Sequence, residues 1–436
     1  MELIKEIEEY INNYKDEIIE NLCGLISIPS ISCQDGSSYP YGKECAKALD
    51  YCMKLSEKKG LYIKNHEYYC VEAKLKEKEF GKKIVVASHA DVVPANNDCI
   101  YPPFEANIIG DYIVGRGAVD DKGPLIATIY ALAFFKEYNI NLKNDIRLLF
   151  GSNEEFGMDD MDYYLKKCGQ PDFAVAVDND FPVCHGEKGV VKFSLKSKKS
   201  IELNYIISTG QKQRPIHDEC SISIKDLKYI EKRKSPTDNV ISTIIKKLWS
   251  ENINILDNYT HNQALISILE DTTGRSMEIE YKDDKSGANA IKIYEVYMED
   301  DMIVFNFDVR ICISDDENRV IDKIKRFSKE IGFICDIKKV SPGYYISENH
   351  EIVVALTDLY NEVSKSNDKP YVMGASTYAR KFKNACGFGA GNPHEVKPFE
   401  KGHGSAHGAD EAHNIDVLLN AIKMYILGFK SIDNVI

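Results

Sequence analysis

The chain has 436 residues, long enough for more than one core, with 44% hydrophobic and 28% charged residues, an ordinary balance for a globular protein. A formal net charge of −13 argues against nucleic acid as the main partner, because no basic surplus meets the phosphates. The 12 cysteines contain no CxxC pair, which points away from a zinc–thiolate site and, for a chain expected in the cytoplasm, from a disulfide framework.

The N-terminal MELIKEIEEYINNYKDEIIENL is charged throughout and has no apolar signal core. Leu3, Ile7, Ile11, Ile18 and Leu22 recur in it at helical spacing. KECAKALDYCMKLSEKKG predicts a second helix, closed by Gly60. KKIVVASHAD reads as a buried strand ending near His89. KGPLIATIYALAFFKEY reads as a helix with Pro124 in its first turn, and its apolar run is too short to span a bilayer. The signal-free N-terminus and this short run set the expectation of a cytoplasmic protein with no membrane partner. DIRLLFGS then predicts a strand, DDMDYYLKKCG a helix and DFAVAVD a further buried strand. The alternation predicts an α/β domain with a mixed, mostly parallel sheet.

After Gly189 the texture changes. VKFSLKSKKSIELNYIIS alternates as half-exposed strands do, and NVISTIIKKLWSEN reads as a helix. AIKIYEVYMEDDMIVFNFDVRICI predicts two antiparallel strands, and ENRVIDKIKRFSKEIGF a helix. The reading is a smaller α+β domain over 190–340, inserted between the segments 1–189 and 341–436 of the larger one.

Three of the predicted buried strands end in residues that bind metals. One leads to His89 and Asp91, one to Glu154 and Glu155, and one to Asp178. GRGAVDDKGP adds Asp120 and Asp121 in a glycine-bounded loop. A strand-end histidine alone is usually a satisfied structural residue, and a lone DD usually a helix cap. Acidic and histidine clusters in register with several strands are harder to explain that way, because ligand sites of open α/β sheets lie beyond the carboxyl ends of the strands. The adjacent pair Glu154–Glu155 is a further oddity, since neighbouring carboxylates repel unless something neutralises one. The chemistry these residues suit is two-metal hydrolysis, in which divalent ions about 3.5–4 Å apart share a carboxylate and a water. With His89, Asp120, Glu155, Asp178 and one more histidine as ligands, the carboxylates leave a net positive charge that favours a bridging hydroxide. Such a donor set suits two divalent ions, most readily Zn2+, with Mn2+ or Co2+ as substitutes.

SHADVVP, GRGAVDDKGP, GSNEEFG, VDNDFP and HGEKG, in that order over about residues 80–190, resemble the motif series of the M20 family of di-zinc metallopeptidases. They most resemble its PepV-like (Xaa-His) dipeptidase branch, and the likeness returns from about residue 340. The resemblance implies that His89 and Asp178 bind one metal, that Asp120 bridges both, and that Glu155 binds the second. It implies a cis peptide after Asp120, Glu154 as general base and Asp91 as the residue orienting the His89 ring. The last ligand is expected from EKGHGSAHGADEAHN, where His407 fits best and His403 and His413 are alternatives. GASTYARKF resembles the dipeptidase pattern in which an arginine, here Arg380, binds the free carboxylate of a short substrate.

The chain departs from the family in the inserted domain. SISIKDLKYIEKRKSPTDNVIS keeps Pro236 and Asn239 without the lid histidine that precedes them in the family, and Leu269 stands at the apparent position of the oxyanion histidine. His217 and His261 are the insert's own histidines, and Asn289 in SGANA is a candidate substrate contact. The expectation is a dipeptidase acting on small peptides, as monomer or homodimer. The alternatives are an amidohydrolase of N-acyl amino acids or related amides, and a catalytically impaired metal-dependent peptide-binding protein.

Overall fold

The computed structural model describes residues 2–96, 98–197, 205–209, 219–224, 227–232, 240–251, 267–268, 271–299, 302–400 and 402–436. Pro236, Asn239, His217, His261 and Leu269 lie outside them. The chain divides into two compact units. The larger comprises Met1–His185, Ile346–Tyr371 and Ser376–Ile436, and the smaller comprises Gly186–Tyr345 with Val372–Ala375. The crossings therefore fall at 185/186 and 345/346, against the expected 189/190 and 340/341, and a short return of 372–375 joins the smaller unit.

In chain order the larger unit contains α1 (Glu2–Ile26), α2 (Lys43–Lys58), β1 (Tyr62–His66), β2 (Cys70–Lys74), β3 (Lys83–His89), α3 (Lys122–Glu137), β4 (Asp145–Gly151), α4 (Asp159–Cys168) and β5 (Phe173–Ala176). The first two residues of β6 (Cys184–Glu187), then α5 (Glu351–Ser364), β7 (Ala385–Gly387) and α6 (Ile415–Val435) follow. The sheet order is β1-β2-β4-β3-β5-β7-β6. Its centre, β4-β3-β5-β7, is parallel, and both flanks are antiparallel, so the sheet is mixed as expected. The strongly apolar sequences of β3, β4 and β5 are explained by burial on both faces. Helix α3 has no polar face because it is buried on nearly every side, within one core that also takes the apolar faces of α1 and α6.

The smaller unit is α+β. Its main sheet is antiparallel, in the order Ala290–Glu299, Met302–Ile311, Gly189–Ser197, Phe333–Ser341. Helix Glu317–Glu330 starts where the Asp316 side chain accepts the Asn318 N–H, and it contributes Val320 and Ile324 to a separate core with Phe193, Phe305 and Phe307. Among the described residues no helix is long and apolar enough to cross a membrane.

Candidate metal centre

The parallel centre of the sheet explains how residues distant in sequence come together. β4, β3 and β5 are neighbours running the same way, with His89 opposite Gly151 and Ala87 opposite Ala176. Their carboxyl ends therefore deliver His89, Glu154–Glu155 and Asp178 to one edge. The backbone at Gly151 passes so close to Tyr378 and Asp160 that a Cβ there would lie 2.0 Å from the tyrosine oxygen. Asp120 arrives on the loop before α3, and its peptide bond to Asp121 is cis. Gly117 turns that loop with φ +90°, a conformation open to glycine. Lys122, fully buried, anchors the loop by donating from Nζ to the Leu25 carbonyl at 3.0 Å and the Ile28 carbonyl at 2.7 Å, at the end of α1. Burial pushes its pKa down to about 8.

Asp120 stands between two histidines. Its Oδ1 lies 3.1 Å from His89 Nε2, and its Oδ2 lies 2.9 Å from His407 Nε2. His407 Nε2 also lies 2.8 Å from Glu155 Oε1, and His89 Nε2 lies 3.8 Å from Asp178 Oδ2. Two overlapping groups have donor atoms within 4.8 Å of one another: His89, Asp120 and Glu155, and His89, Glu154 and Asp178. The other two C-terminal histidines are elsewhere. His403 pairs with Asp410 at 2.5 Å, and His413 is buried on the short strand Ala412–Asn414 beside Ile113, with burial lowering its pKa to about 3.

These donors fit a divalent cation. His89 Nε2, Asp120 Oδ1 and Glu154 Oε1 are buried and make no hydrogen bond. At 3.1 Å the first two lie too close to be indifferent to each other, yet they share no bonding geometry. Buried polar atoms of this kind are costly unless a partner such as a cation satisfies them. The electrostatics agree in direction. Burial, reinforced by the neighbouring carboxylates, raises the Glu154 carboxyl well above its usual range and the Glu155 carboxyl to about 7, despite the histidines nearby. Burial alone would depress His89, but Asp120, Asp178 and Asp91 hold its pKa well above the ordinary value.

Asp91 differs in detail from expectation. The His89 Nδ1 bonds the backbone carbonyl of Asp91 at 3.0 Å, with the carboxylate at 3.5 Å. The carboxylate instead accepts the backbone N–H groups of Glu154 and Glu155. Arg380 lies half-buried in the short 3-10 turn Tyr378–Lys381, opened by Thr377. The ring of Tyr378 in the same turn meets the His89 ring edge-on at 6.2 Å. Asn289 requires a correction. Its buried amide donates to the Ile279 carbonyl and to Asp315 and accepts from Cys312 N–H, all within the smaller unit, which leaves it no donor for a substrate.

Sequence reasoning passed over two groups. Tyr378 donates its hydroxyl to Asp160 Oδ2, which also accepts the N–H groups of Ser152 and Asn153 at 2.8 and 3.0 Å and so shapes the turn before Glu154. Arg116 and Glu411 form a buried ion pair behind Asp120. The only signal for that pair was its place inside GRGAVDD and HGADE, each next to an expected ligand.

The family description Peptidase family M20/M25/M40 matches residues 85–427. A Staphylococcus aureus (strain MW2) protein named "Putative dipeptidase" is 26% identical over 469 aligned positions, covering 96% of this chain and 97% of that protein. Human carnosine dipeptidase 1 has the same fold, with a TM-score of 0.67 at 14% identity and 99% of both chains covered. The di-peptidase Dug1p from Saccharomyces cerevisiae matches with a TM-score of 0.66 at 13% identity, covering 99% of this chain and 98% of that one. The chain belongs to peptidase family M20/M25/M40 and is one of its metallopeptidases.

Proposed function

We propose that the chain is a dipeptidase that hydrolyses the peptide bond of short peptides carrying a free C-terminal carboxylate. The observation that carries the reading is the unbonded carboxylate oxygen of buried Glu154 beside the His89–Asp120–Glu155–His407 cluster. His89 and Asp178 would hold one divalent ion, Glu155 and His407 a second, and Asp120 both. Zn2+ is the first choice for this donor set, with Mn2+ or Co2+ as substitutes. When bound, the ions supply polarisation of the scissile carbonyl and a lowered pKa for a shared water.

The chain's own residues do the rest. Glu154 Oε1, which has no other partner, takes a proton from the attacking water and returns it to the leaving amine. Asp91 fixes the backbone from which Glu154 and Glu155 diverge. The Arg380 guanidinium grips the substrate carboxylate, which sets the distance from the chain end to the bond cleaved.

The test is hydrolysis of a panel of Xaa-His and other dipeptides, with N-acetyl amino acids for comparison, in the presence of Zn2+ or Mn2+. The dipeptides should be preferred, and Glu154→Gln should lower kcat by about 10²–10⁴-fold while metal content stays unchanged. Equal, slow product release by wild type and variant would sink the reading. Faster turnover of the N-acetyl amino acids would move it to an amidohydrolase.

A further inference from the structure

Asp120 and His407 face each other at 2.9 Å but come from loops nearly three hundred residues apart. The two loops are tied together behind the ligands by one buried ion pair. Arg116 Nη1 donates to Glu411 Oε2 at 2.5 Å, with both side chains almost wholly buried. The other oxygen of Glu411 accepts the backbone N–H groups of Val119 and Asp120, at 2.9 and 3.0 Å. The glutamate thus holds the loop that carries one ligand by two bonds. Arg116 holds the other side. Its Nη2 lies 3.1 Å from the Gly408 carbonyl and 3.4 Å from the His407 carbonyl, with Asn96 Oδ1 at 2.9 Å. His407 adopts φ +59°, a left-handed backbone that a histidine keeps only when its surroundings fix it.

We propose that Arg116 and Glu411 are positioning residues for the metal centre: the pair sets the separation of Asp120 from His407 and so the affinity of the site those ligands share. The proposal rests on the metal-site reading above. Neither side chain reaches the ligand atoms, so the pair acts through backbone amides on one loop and backbone carbonyls on the other. A planar guanidinium can meet a carboxylate and carbonyls together because its donors point in fixed, separate directions. Groups that orient ligands in this way typically contribute 10–100-fold to metal affinity.

The test separates positioning from plain stability. Glu411→Gln keeps the shape and removes the charge. The double variant Arg116→Met with Glu411→Leu removes both charges, so neither is left buried alone. Each purified chain is stripped of metal, melted, and titrated with Zn2+ against a chelating dye; the absorption of the Co2+-loaded chain reports ligand geometry. Both variants should bind Zn2+ about 10–100-fold more weakly with an altered Co2+ spectrum, although the metal-free double variant melts close to wild type. Wild-type affinity and spectrum in the double variant would overturn the proposal alone. A wild-type chain that binds no metal would overturn the metal centre and the proposal together.

Discussion

The carboxylate of Asp91 holds the backbone of Glu154: Oδ1 accepts the Glu154 N–H at 3.1 Å, while Oδ2 accepts that of Glu155 at 3.2 Å. Two consecutive amides converge on one side chain just where β4 gives out. The adjacent glutamates therefore leave the strand from a fixed backbone, and their side chains can serve different ends. The repulsion between them is handled by separate surroundings, with Glu155 Oε1 against His407 and Glu154 Oε1 left without a partner.

Asp91→Asn tests this arrangement. The amide offers one oxygen and turns an N–H toward the second backbone N–H, leaving a buried donor unmatched at a cost of about 1–3 kcal/mol. The metal-free variant should lose that much unfolding free energy in urea titration, and kcat for the best dipeptide should fall about 10–100-fold. A variant with full kcat would show that the turn holds its shape without the carboxylate.

Metal removal should lower stability, because the cluster packs Asp120, Glu154, Glu155 and Asp178 around His89. Binding to the folded chain alone stabilises by about 2.7 kcal/mol when free metal is 100 times its Kd. Chelation should therefore lower Tm, and Zn2+ should restore it in a concentration-dependent way. His407→Ala removes a donor to Asp120 and Glu155, so the metal-dependent rise in Tm should shrink and bound metal should fall by one ion per chain. An unchanged stoichiometry, measured by elemental analysis, would place the second ion elsewhere.

Much of this was legible in sequence because β3, β4 and β5 carry short apolar runs, buried on both faces, that stop abruptly at polar residues. That pattern gave the parallel strands, and the polar stops gave His89, Glu154, Glu155 and Asp178. The strands β1 and β2 of one antiparallel flank were not located: β1 alternates weakly, and β2 hides Glu72 among buried apolar residues. Arg116 and Glu411 were illegible as a pair because their relation exists only once distant loops meet. Asn289 misled for the opposite reason. It was expected to reach substrate, whereas its amide ties together three segments of the smaller unit.

Arg380 carries the expectation of carboxylate binding, and its replacement by Met tests substrate choice. A charged hydrogen bond contributes about 1.5–3 kcal/mol, so KM for dipeptides should rise roughly 10–100-fold with kcat little changed. Dipeptide amides, which lack the terminal charge, should be cleaved equally by wild type and Arg380→Met. An equal loss on both substrate sets would mean that Arg380 supports the turn Tyr378–Lys381 and not the substrate.

Far along the sheet, Glu72 links three neighbours. It accepts the Tyr164 hydroxyl at 2.8 Å and Arg147 Nη1 at 3.1 Å through Oε1, and its Oε2 lies 3.0 Å from His66 Nε2. Burial pushes its pKa up, but His66, Tyr164 and Arg147 outweigh burial and hold it down to about 2. Unfolded, the carboxyl returns to about 4.3. A folded value below the unfolded one means that the stabilisation is fully present above about pH 4.3 and is lost as pH falls toward 2. The most it can contribute is about 3 kcal/mol, at 1.36 kcal/mol per unit. Glu72→Gln should thus be less stable than wild type at pH 7 by about 1–3 kcal/mol. The gap between their urea midpoints should close between pH 4.3 and 2, where wild type loses the charge that the variant never had. A gap that stays constant over that range would mean that Glu72 is protonated, or unpaired, in the folded chain.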